Sequence, residues 1–114
     1  MSDLTIAILE KAVEGLDMRL RYTSQNIANA SSNSYSSVKV SFETALVQAA
    51  QGSVLDVQNV APRLESDDRA DISSELRLDI ELAEAVQTSM RYSAMVEVLS
   101  RQMSLKRIAL GRNQ

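Results

Sequence analysis

Carboxylates crowd one stretch of this chain. Asp67, Asp68, Asp71 and Glu75 lie close together in RLESDDRADISSE, the raw material of a calcium loop or of acid–base chemistry. A calcium loop needs an alternating Asp-x-Asp ladder and a glycine at its sharp turn, and this stretch has neither. Glu81 and Glu84 share one face of a predicted helix, as a carboxylate pair would. The chain contains no histidine, so the Glu-x-x-His motif of di-iron bundles cannot form, and the commonest general base is missing. It contains no cysteine, which excludes disulfides and thiolate metal sites.

Other chemistries fare no better. No glycine-rich phosphate loop occurs, and the basic residues are offset by acids without interleaved aromatics, which argues against nucleic acid. Met18, Met90, Met95 and Met103 lie on or beside helical stripes and read as adaptable packing. No catalytic residue, cofactor, metal or small-molecule substrate is expected, and the chain does not read as an enzyme. With 45% hydrophobic residues but only 4% aromatic, a core must rest on aliphatic side chains, which suits helix-on-helix packing. Three glycines and one proline leave few hairpin turns for an all-β fold.

Four segments follow. Over residues 1–30, Ile6, Leu9, Val13, Leu16, Leu20, Ile27 and Ala30 recur at alternating 3–4 spacing, with Thr23 the one polar entry. Ser2 or Asp3 can cap this helix, and Gly15 sits inside it, either at a close helix contact or as a tolerated weak spot. Residues 31–52 form a polar turn, an extended arm and a short helix. Tyr35 anchors the turn, Val38, Val40 and Phe42 alternate like a strand, and Gly52 ends the helix. Residues 53–74, with Pro62, lack sustained periodicity and read as a loop or linker.

Residues 75–114 carry the strongest signal. Leu78, Leu82, Ala85, Tyr92, Val96, Leu99, Met103 and Leu110 form one stripe of a long helix, and Ala83, Val86, Met90 and Ala94 form a second beside it. Ser73 or Ser74 can cap it. So broad an apolar face on a helix of roughly 50 Å calls for more than one partner. Charge divides along the chain. Eight acids (Glu65, Asp67, Asp68, Asp71, Glu75, Asp79, Glu81, Glu84) face two bases, Arg69 and Arg77. Beyond Val86 come Arg91, Arg101, Lys106, Arg107 and Arg112 against Glu97. This division complements the helix dipole, and it would also favour head-to-tail stacking of copies.

Asn26-Ile27-Ala28-Asn29 closes the first helix, where asparagine has no propensity reason to be. Both amides can satisfy carbonyls at the helix end or bond across to a partner helix. Downstream come Tyr35, then Val40-Ser41-Phe42-Glu43, Leu78-Asp79-Ile80-Glu81-Leu82 and Arg91-Tyr92. Together these motifs resemble the flagellar basal-body rod protein family, most nearly its proximal rod members. The family's Thr-Pro-Gly before the tyrosine is here Ser32-Asn33-Ser34, and Ser36 stands in place of a basic residue. Asn33 can tolerate a left-handed conformation there.

The resemblance implies an all-α fold in which long N- and C-terminal helices form an antiparallel coiled-coil hairpin, with a short extended arm and a loop-rich middle. It implies a structural subunit of the bacterial flagellum, contributing to motility by helical assembly. Its partners would be other copies of itself, other rod proteins, and export-gate and MS-ring-adaptor proteins. Assembly would engage Asn26, Ile27, Ala28, Asn29, Tyr35, Phe42, Glu43, Leu78, Asp79, Glu81, Leu82, Arg91 and Tyr92, with Glu81 meeting a neighbouring subunit's Arg or Lys. The N-terminal MSDLTIAILEKAVEGL lacks a basic n-region and a cleavage site, and no apolar run reaches the roughly 18 residues of a membrane span. Taken alone, that points to the cytoplasm. It also fits unprocessed type III export to the periplasmic rod. The competing expectation is a cytoplasmic coiled-coil homodimeric adaptor.

Overall fold

Apolar residues at helical spacing carry Asp3–Ala28 into one helix, and the chain then turns back on it repeatedly. The computed structural model describes residues 3–32, 35–67 and 72–112. Its elements are α1 (Asp3–Ala28), β1 (Ser37–Ser41), α2 (Glu43–Ala49), α3 (Val54–Gln58), β2 (Arg63–Asp67) and α4 (Ser74–Arg112). Ser73 starts α4, its hydroxyl accepting the Leu76 N–H at 3.1 Å. Ser2, Asn33 and the acids Asp68 and Asp71 lie outside the described residues.

Helices α1 and α4 pack side by side in opposite directions. Lys106 reaches Asp3 at 2.6 Å, Asn26 meets Glu81, and Arg77 donates to the Ala30 carbonyl at 3.2 Å. Arg77 thereby sets a positive charge at the negative end of α1, whose last turn has no basic residue of its own.

An all-α hairpin with a loop-rich middle is nevertheless the wrong description. Helix α1 is a hub, with α4 packed along it and β1, α2 and α3 also docked on it. The core gathers there, in Ala7 and Leu16 of α1 with Val40, Phe42, Leu46 and Val57. Packing on more than one side buries Ile6, Ala7, Gly15, Leu16, Thr23 and Asn26 of α1, more than a two-helix seam requires.

The middle segment is structured for local reasons. Ser53 and Asp56 form a reciprocal capping box that starts α3, and Val57, fully buried, pins it to the core. Gly52 precedes that box without a positive φ, so left-handed freedom is not its role. A Cβ there would meet the Asp56 carboxylate, so Gly52 leaves room for the cap. Strand β2 then pairs antiparallel with β1, Val38 opposite Ser66 and Val40 opposite Leu64.

Candidate interaction site

Asn26 sits on the last turn of α1 at 3% exposure, facing β1. Its Nδ2 donates to the Val38 carbonyl at 2.8 Å, and its Oδ1 accepts the Val38 N–H at 3.0 Å. One side-chain amide thus supplies the donor and acceptor that a neighbouring strand would supply. Its remaining capacity is also used. Oδ1 accepts the Tyr35 hydroxyl at 2.8 Å, and Nδ2 lies 3.3 Å from Glu81 Oε2. Glu81 is 2% exposed, so it does not reach out to a neighbouring subunit as expected but closes a polar node inside its own chain. Burial, and then the negative charge of Glu81, raise the Tyr35 hydroxyl above its ordinary pKa.

Two turns earlier on the same face of α1, Arg19 makes the companion contact. Its guanidinium donates to Val40 O at 2.9 Å and to both Glu43 carboxylate oxygens at 2.6 Å. It also lies 4.9 Å from the centroid of the Phe42 ring. Phe42 itself is buried against α1 where Gly15 has no side chain, and an added Cβ would stand 2.6 Å from the ring. The Arg19 hydrogen bonds hold the Glu43 carboxyl below its ordinary pKa. Asn26 and Arg19 together cover the α1-facing edge of β1.

The remaining predicted residues disperse. Asn29 donates to Gln25 O at 2.9 Å and serves the end of its own helix. Ala28 and Asp79 are exposed, while Ile27 and Leu78 are half-buried. Tyr92 packs against the core, whereas Leu82 remains 47% exposed. Arg91 is exposed and stands between two depressions. One is a polar cleft of about 180 Å³ that includes Arg19, Thr23, Glu84 and Thr88. The other is an apolar groove of about 390 Å³ between α1, α2 and α4, lined by Phe42, Val47, Ala94 and Met95 among others.

Beside that groove the second stripe of α4 faces outward. Val86 is 62% and Met90 69% exposed, and Leu76, Leu82, Leu105 and Ile108 are also exposed. Large side chains repeating along one helix face mark a contact surface. Among the described residues, no helix is long and apolar enough to cross a membrane.

Three participants were not legible as such. Arg19 belongs to none of the stripes or motifs of the sequence, and the roles of Val38 and Val40 are played by their backbone, which no side-chain pattern reports. Gly15 was visible, but its partner Phe42 lies 27 positions away in the chain. No family model, curated protein or solved structure matches this chain.

Proposed function

We propose that this chain is a structural subunit of the bacterial flagellar basal-body rod, at its proximal end, assembling by helix packing with other rod subunits and the export-gate and MS-ring base. It reaches the periplasm through the type III export apparatus. The reading starts from the sequence motifs, and one observation carries it further: the outward face of α4. Leu82, Val86 and Met90 recur there on successive turns at 47%, 62% and 69% exposure. A further helix laid along that face would remove them from water. Four motif positions also converge on one interlock, since Asn26, Tyr35, Phe42 and Glu43 all fix β1 or its flanks to α1. The motifs therefore act as one unit that holds the subunit's shape.

The test is photo-crosslinking in flagellated cells that make the protein, from a probe at Met90, with a probe at exposed Glu14 as control. Crosslinks from position 90 to rod or export-gate proteins are expected. The double substitution Val86→Ser, Met90→Ser should abolish swimming while the purified chain keeps its helical circular dichroism. Full motility, with crosslinks only to a second cytoplasmic copy, would overturn the reading in favour of an adaptor.

A further inference from the structure

The β1–β2 ribbon has two edges, and they are treated differently. Val38 turns its N–H and C=O to Asn26, and Val40 turns its C=O to Arg19, so both point away from β2. Alternation along an antiparallel pair then assigns Ser37, Lys39 and Ser41 to the bonds with Asp67, Glu65 and Arg63. In β2 the N–H and C=O of Leu64 and Ser66 must therefore point outward. Among the described residues no backbone bond engages them, and Arg63–Ser66 are all exposed.

We infer that this outer edge of β2 pairs with the same edge of a second copy of the chain, antiparallel about Leu64, joining two ribbons into one four-stranded sheet. The register follows from charge. Centring on Leu64 sets Arg63 of each copy opposite Glu65 of the other. Centring on Glu65 would place two glutamates together, and centring on Ser66 would oppose Glu65 to Asp67. In the Leu64 register the two leucines exchange N–H and C=O bonds, and each Ser66 N–H meets the Pro62 carbonyl. Pro62, which has no N–H, limits how far the ladder extends.

Both faces of the enlarged sheet are consistent with that register. Leu64, 48% exposed, lies opposite buried Val40, so the row becomes Val40, Leu64 and then Leu64 and Val40 of the second copy. On the other face Lys39 lies opposite Glu65, which would next meet Arg63 of the second copy, alternating in sign. The contact is isologous and closes on itself. It uses a different surface from the α4 face and does not depend on the rod reading.

Sedimentation equilibrium of the full chain, from micromolar to near-millimolar concentration, tests it. The wild type should dimerise. Arg63→Glu alone and Glu65→Arg alone should each weaken self-association by about tenfold, because each sets like charges opposite one another twice. An equal mixture of the two variants should recover the wild-type affinity as a heterodimer, since both crossing pairs are then complementary. Helical circular dichroism of each variant checks that the chain is folded. A wild type that stays monomeric throughout, variants that dimerise like the wild type, or a mixture that fails to recover would each overturn the inference.

Discussion

Gly15 is where a single atom decides the packing. Replacing it with alanine favours the helix by about 1 kcal/mol, as for any interior glycine. The new Cβ, however, would stand 2.6–2.7 Å from three atoms of the buried Phe42 ring, which has a guanidinium stacked near it. Overpacking of this kind costs about 1–3 kcal/mol, so Gly15→Ala should destabilise the chain by up to about 2 kcal/mol net, read as a lower urea midpoint. A raised midpoint would mean the ring moves freely. Next to it, the lowered pKa of Glu43 gives a pH dependence of definite sign. A carboxyl depressed in the folded state contributes stability above its ordinary titration range and loses it as pH falls through the folded value. Urea midpoints of the wild type and Glu43→Gln should therefore differ at neutral pH and converge in acid. The difference should stay below about 1 kcal/mol, since the Glu43 side chain is half exposed and salt screens it.

At the scale of elements, β1 is a strand whose neighbour on one side is a side chain. Substituting Asn26→Leu keeps the bulk but removes both bonds to Val38. The Val38 amide should then exchange with solvent deuterium at least about tenfold faster than in the wild type. The Lys39 amide, turned toward β2, should keep more of its protection. Equal acceleration of the two would mean that the whole ribbon opens as one. The sequence announced this arrangement only in part. An asparagine on an apolar helix face stood out by its type, yet its partner was backbone. The extended arm was legible because Val38, Val40 and Phe42 alternate. Its partner β2 was not, because a strand exposed on both faces has no apolar period, and RLESD offers only Leu64. Helix α3 escaped for another reason. Five residues are too few to show a period, and the Ser53–Asp56 capping box was the one available signal.

The whole molecule is a thin plate of 61 × 24 × 14 Å. Helix α4, 39 residues long, spans nearly its full length. Its two apolar stripes were plain in the sequence, but which of them turns outward was not, because both are built from the same residue types. The assignment depends on where α1 lies, and that is set by contacts such as Asn26–Glu81 across 55 positions of chain. The central place of α1 has a consequence for how the plate comes apart. α4, α2 and α3 find their main support on α1, β1 is shared between α1 and β2, and β2 is attached chiefly through β1. Should α1 lift away, none of them keeps a neighbour large enough to stay folded. Melting should therefore be all-or-none, with helical circular dichroism and tyrosine fluorescence lost at one temperature, and a half of the plate made alone should not fold.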